Sequence, residues 1–108
     1  MLHDESLQKA LTELKGRLTD AYPVVRLVLF GSAARGEASE ESDVDVLVLT
    51  KRPLSRSERD TLTGIVFDIN LSLGTNLSTL VIDEHSWEEG PISVLPIHDD
   101  VEEQGIVL

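Results

Sequence analysis

Apolar residues recur along the chain in runs that change period. Leu7, Leu11, Leu14 and Leu18 are spaced 4, 3 and 4, one face of a helix with 3.6 residues per turn. Asp4 is placed to cap its start and Pro23 to stop it. Gly16, inside it, weakens the helix slightly. Residues 24–30 (VVRLVLF) form a nearly continuous β-branched and aliphatic run, which predicts a strand buried on both faces. The run ends abruptly in Gly31-Ser32-Ala33-Ala34-Arg35-Gly36, and a polar stretch from Glu37 to Ser42 follows. Residues 43–50 (DVDVLVLT) predict a second strand with acids at its start and an apolar body.

Pro53 breaks the chain, and Ser55 with Glu58 fits a capping box that opens a second helix. Leu62, Ile65, Val66, Ile69 and Leu73 carry helical spacing, and Gly74 suits a left-handed C-cap. A strand at Ile65–Leu71 is the alternative. Apolar residues at both 65 and 66 break strict alternation and favour the helix. Residues 77–83 (LSTLVID) predict a third strand, and residues 84–90 a short helical turn containing Trp87. Pro96 suits the first turn of a last short helix, with Ile97 and Val101 on one face and Gly105 at its end. Ile106-Val107-Leu108 is read as a terminal extended piece. The order is α-β-turn-β-α-β-α, an α/β pattern.

Length and composition narrow the picture. A chain of 108 residues predicts one domain, spanning 1–108, and its 41% apolar content suffices for a core. Aromatics are few, so the core must be mostly Leu, Val and Ile. The absence of cysteine excludes disulfides, thiolate metal sites and Cys nucleophiles. It also favours an intracellular, cytoplasmic setting. The N-terminal MLHDESLQKA lacks the basic-then-apolar pattern of a signal peptide, and no apolar run approaches a membrane span. The net charge is −11 and unevenly spread. Residues 1–59 carry nine Lys and Arg against ten Asp and Glu, whereas residues 60–108 carry ten acids and no base. Such a chain is a poor ligand for long nucleic acid or an anionic membrane.

Two pieces carry candidate chemistry. Asp43 and Asp45, at i and i+2 on a strand, project to the same face roughly 6.6 Å apart along it. Their repulsion raises one pKa, and a hard divalent cation such as Mg²⁺ relieves it. The bland alternative is a solvated strand end, and for an isolated Asp-x-Asp it is the better one. Gly31 lets the backbone turn tightly against a ligand, and a following helical turn offers free N–H groups to an anion. Ser32 adds a hydroxyl and Arg35 a fixed positive charge suited to phosphate oxygens. The alternative here is an ordinary strand-to-helix turn with a capping serine.

Taken together, Leu29-Phe30-Gly31-Ser32-Ala33-Ala34-Arg35-Gly36 and, after ten intervening residues from Ser32, Asp43-Val44-Asp45-Val46-Leu47-Val48 resemble a known signature. It is that of the DNA polymerase beta-like nucleotidyltransferase superfamily, and most of all its short members, the minimal nucleotidyltransferases. The resemblance implies a small mixed sheet of three to four strands with helices mainly on one face. Gly31 and Ser32 would hold the terminal phosphates of a nucleoside triphosphate, and Arg35 would steady them. Asp43 and Asp45 would be the catalytic carboxylates and would bind one or two Mg²⁺ ions. The reaction would transfer a nucleoside monophosphate, with AMP the leading candidate, to a hydroxyl of a protein or small-molecule acceptor.

The chain departs from the superfamily pattern in one respect. Active members usually carry a third acidic residue on the strand after the intervening helix. Here Asn76, Leu77 and Ser78 stand near the start of that strand. Asp83 lies at its far end, better placed to cap the next turn, and Asp68 qualifies only if residues 65–71 are strand. Nucleotide binding survives such a loss more readily than turnover. Two further readings stay open: an antitoxin-type binding partner of a small helical HEPN protein, an association that the short members of the superfamily often show, and an inert relative that retains the fold. The nucleotide is a partner in the enzymatic reading, the acceptor or a second chain must complete so small a site, and an oligomer is not excluded. His3, His85 and His98 share no metal-ligand spacing, and Trp87 reads as a packing anchor. Lys51, Arg52, Arg56 and Arg59, after the second strand, are expected to offset phosphate charge.

Overall fold

A computed structural model describes residues 5–37 and 42–108. The expected cap at Asp4, and His3, lie outside the described residues. Helix α1 (Glu5–Ala21) ends before Pro23, and it buries Leu7, Leu11, Leu14 and Leu18, the four leucines of the apolar face. Strands β1 (Val24–Phe30) and β2 (Val44–Thr50) follow, then helix α2 (Arg56–Leu73) and strand β3 (Leu77–Asp83). A short helix α3 (Glu84–Glu89), a 3-10 turn (Pro91–Val94), helix α4 (Pro96–Gln104) and a two-residue strand β4 (Ile106–Val107) complete the chain.

The alternatives over residues 65–71 resolve to helix, and the end signals of α2 explain why. The Ser55 hydroxyl accepts from the Glu58 backbone N–H at 3.1 Å, and a Glu58 carboxylate oxygen accepts from the Ser55 N–H at 2.9 Å. Gly74 closes the helix at φ 66°, ψ 34°, donating its N–H to the Asn70 carbonyl. Asn70 then accepts from the Leu77 N–H at 2.8 Å and donates to the Leu77 carbonyl at 3.0 Å, which sets the start of β3. At the far end of β3, Asp83 caps α3 by accepting from the Ser86 N–H at 3.0 Å.

The four strands form one mixed sheet in the order β3-β2-β1-β4. β1 runs antiparallel to β2 and to β4, and β2 runs parallel to β3 through the α2 crossover. Alternation along the strands sorts the core into two layers. Leu27, Leu29, Val44, Val46 and Val48 pack with the leucines of α1 and with Leu62, Val66 and Ile69 of α2. Val28, Leu47 and Leu49 face the other way, onto Trp87 and Val101. The two long helices cover one face, and the short C-terminal helices cover part of the other. Trp87 is fully buried, donates Nε1–H to Glu102 Oε1 at 2.8 Å and stacks with His98 at a centroid distance of 4.5 Å, as a packing anchor does. Among the described residues no helix is long and apolar enough to cross a membrane.

Candidate active site

Asp45 has the strand parity of Leu47 and Leu49, so its side chain lies on the face that carries the short helices. It pairs with Phe30, the last residue of β1, and with Ser78 on β3. Because β1 is antiparallel to β2, the chain leaves β1 beside the start of β2. Gly31 therefore falls against Asp45. A β-carbon built on Gly31 would stand 2.7 Å from Asp45 Oδ2, inside contact distance, and Gly31 also holds φ +73°. The positive φ favours glycine, and a β-carbon there would displace the Asp45 carboxylate.

From Gly31 the backbone makes a helical turn. The Arg35 N–H donates to the Gly31 carbonyl at 3.3 Å and the Glu37 N–H to the Ser32 carbonyl at 2.9 Å. Ala33 is fully buried in the α1 layer and anchors the turn from below. Gly31 and Ser32 stay partly exposed and Arg35 exposed. The Ser32 hydroxyl has no hydrogen-bond partner among the described residues. Gly31, Ser32, Arg35, Asp43 and Asp45 thus share one end of the sheet.

Asp43 sits one residue before β2, exposed, while Asp45 is half-buried. Burial pushes the Asp45 carboxyl above the usual aspartate range, and the Asp43 charge raises it further. Two facing carboxylates, one of them desolvated, make a pair that a hard cation stabilises. The donors fit Mg²⁺: two carboxylates, with the Ser78 hydroxyl in register beside Asp45. Among the described residues no group of three or more acidic, His or Cys side chains gathers around a point that could hold a metal. The two candidates for a third carboxylate lie elsewhere. Asp68 is on the exposed side of α2, 4.0 Å from Arg17. Asp83 pairs with Thr50, at the opposite end of the sheet from Asp45.

One expectation is corrected. Lys51, Arg52, Arg56 and Arg59 do not stand near the candidate site. Lys51 follows the other end of β2, roughly 20 Å from Asp45 at about 3.3 Å per strand residue, and Arg52, Arg56 and Arg59 come after it in the loop and the start of α2. Arg52 is committed to a two-pronged bond with Glu58, both arms at 2.9 Å, and Arg59 donates to the Val81 carbonyl at 3.2 Å. Arg35 is the base that the fold brings to the turn. His85 pairs with Glu89 at 2.9 Å and His98 lies on Trp87.

One site neighbour had no signal in the sequence. Asp100 of α4 accepts from Arg35 Nη1 at 3.2 Å across a separation of 65 residues. Nothing in spacing or motif marks it.

Comparison with known proteins identifies the family and the fold. The nucleotidyltransferase domain model matches residues 11–105. A Methanocaldococcus jannaschii protein, MJ1305, named a candidate protein adenylyltransferase, is 39% identical over 82 residues, covering 74% of this chain and 52% of that protein. The chain spans about half the length of the curated relatives it matches. A solved structure described as a candidate minimal nucleotidyltransferase superposes with a TM-score of 0.62 at 23% identity, covering 98% of both chains. Another is the MNT antitoxin complexed with a tri-AMPylated HEPN toxin of Shewanella oneidensis, with a TM-score of 0.55 at 20% identity over 93% of this chain and 69% of that one. At these identities the likeness shows the fold, that of the polymerase beta-like enzymes. With a family model covering nearly the whole chain, this protein belongs to the nucleotidyltransferase domain family.

Proposed function

We propose that the chain transfers a nucleoside monophosphate, AMP by analogy with its relatives, from a nucleoside triphosphate to a hydroxyl of a protein acceptor. The observation that supports this reading is the seating of Asp45 against Gly31, with a carboxylate beside the Gly31–Gly36 turn. Gly31 and Ser32 bind the terminal phosphates through the turn and the free hydroxyl. Arg35 supplies the positive charge. Asp43 and Asp45 hold Mg²⁺, which when bound neutralises charge developing on the phosphates.

In the transfer, the acceptor oxygen bonds to the α-phosphorus. The bond from that phosphorus to the oxygen bridging to the β-phosphate breaks, and pyrophosphate leaves. The acceptor's proton leaves to solvent. Asp45 faces the turn where the triphosphate lies and is committed there to Mg²⁺ rather than to that proton. With two carboxylates among the described residues, turnover depends on further ligands from substrate, water or an acceptor chain.

The relative solved with a HEPN toxin favours a HEPN-type protein as both acceptor and partner. That reading makes the chain an antitoxin, and it is compatible with enzymatic transfer. The test is incubation with α-labelled ATP and Mg²⁺, with and without a HEPN protein encoded beside this chain. Label on the partner, lost in Asp43→Ala and Asp45→Ala while co-purification persists, is the expected result. Absence of both label transfer and ATP-dependent stabilisation overturns the enzymatic reading. Partner binding without transfer leaves the antitoxin role alone.

A further inference from the structure

Arg35 is already occupied. Its Nε donates to Glu37 Oε2 at 3.1 Å and its Nη1 to Asp100 Oδ1 at 3.2 Å. The two carboxylates differ in how they are held. Glu37 is two residues away on an exposed stretch. Asp100 is mounted on α4, whose next residue, Val101, is buried against Val28 and Trp87 in the core. The helix therefore presents the Asp100 carboxylate at a set place on the turn. Carboxylate and phosphate oxygens are alternative partners for the same guanidinium N–H groups.

We propose that Asp100 is an affinity-setting residue: it competes with a nucleoside triphosphate for Arg35, and nucleotide binding detaches the Gly31–Gly36 turn from α4. This rests on the reading that Arg35 meets the triphosphate. The local charge agrees with it. Arg35 stands against Glu37 and Asp100, so both carboxylates beside it oppose an incoming anion, and each takes up one of its N–H groups. The Arg35 and Asp100 side chains are 35% and 32% exposed, so the pair is screened and its effect is modest.

Titration calorimetry with ATP and Mg²⁺ tests this on the whole chain. Asp100→Asn is expected to bind about two- to fivefold tighter than the wild type. Glu103→Gln removes the same charge one turn further along α4, from a side chain with no partner among the described residues, and should leave affinity within error. In an Arg35→Ala background the gain from Asp100→Asn should vanish. Asp100→Ser gives the same comparison if the asparagine variant does not fold. Equal tightening by Glu103→Gln would assign the effect to general charge and overturn the proposal. ATP binding by the wild type that Asp100→Asn does not tighten would overturn it too, leaving the nucleotide reading intact. Binding by Asp100→Asn alone would support it in its strongest form. No binding by any variant would remove the nucleotide reading and the proposal with it.

Discussion

The Asp45 carboxylate oxygen Oδ2 stands 2.7 Å from the point where a β-carbon on Gly31 would lie. The antiparallel register of Phe30 with Asp45 produces this contact, because the residue after Phe30 must turn directly over the start of β2. The Gly31–Gly36 turn and the strand that carries the two carboxylates are thereby locked into one unit.

Two glycine variants separate backbone strain from this contact. Gly31 and Gly36 both hold positive φ, 73° and 74°, but nothing lies within 4 Å of a β-carbon at Gly36. Gly31→Ala and Gly36→Ala should each lose about 1–2 kcal/mol from the left-handed backbone, read by urea denaturation. Only Gly31→Ala should displace Asp45 and abolish ATP binding and transfer. Equal loss of binding in both variants would show that the turn, not the Asp45 contact, is what matters.

Asp45 lowers stability at neutral pH. Its pKa lies above 3.8 in the folded chain, so the folded state holds the proton more tightly. Stability therefore falls as pH rises through the interval above the unfolded value, and it stays lowered at neutral pH. Asp45→Asn should raise the melting temperature at pH 7. The difference should close below about pH 4, where the wild-type group is protonated in both states. Transfer activity should drop about a hundredfold or more. A melting temperature below wild type at pH 7 would contradict the desolvation of Asp45.

The opposite pH dependence belongs to Glu58. The Arg52 guanidinium holds its carboxyl down to about 2, helped by the Ser55 backbone N–H. Its stabilisation is present above 4.5 and is lost as pH falls toward 2. Glu58→Gln should melt lower than wild type at pH 7, with the gap closing through that window. Ser55→Ala removes the other half of the capping box and should cost about 1 kcal/mol by chemical denaturation. Neither variant should change nucleotide binding, because both lie at the far end of the sheet.

Trp87 ties α3 to α4 through Glu102, and Glu102 also accepts from Arg26 Nη2 of β1 at 3.1 Å. Trp87→Ala opens a fully buried site and should cost about 3–5 kcal/mol, measured by circular dichroism on denaturation. Trp87→Phe keeps most of the volume and removes the Nε1–H donor, leaving the Glu102 acceptor to Arg26, so its loss should be smaller. Equal losses would mean that the Glu102 bond, rather than volume, dominates.

Most elements were readable because their signals are local. The 4-3-4 leucine spacing of α1, the capping box and Gly74 of α2, and the apolar runs of β1 and β2 depend on neighbours within a few residues. Residues 65–71 read two ways because β-branched residues suit strands, and the caps at both ends decided for helix. The Gly31–Gly36 turn and the two aspartates stood out only through their joint resemblance to a family signature, since each piece alone reads equally well as an ordinary turn or a solvated strand end. The basic residues after β2 were misplaced because closeness in sequence is not closeness in space: a strand carries the chain across the whole sheet before Lys51 appears.

The sequence by itself therefore determined the order of elements, the face each helix buries, and the residue types available for phosphate and metal chemistry, all of which follow from short-range periodicity and backbone stereochemistry. Only the tertiary structure decided which groups meet. It set Phe30 against Asp45, so that Gly31 had to yield its β-carbon space. It placed Ser78, not an acid, on the strand beside Asp45, and it brought Asp100 to Arg35 across 65 residues. Strand register and helix docking are products of the packed core as a whole, and no local stretch of sequence encodes them.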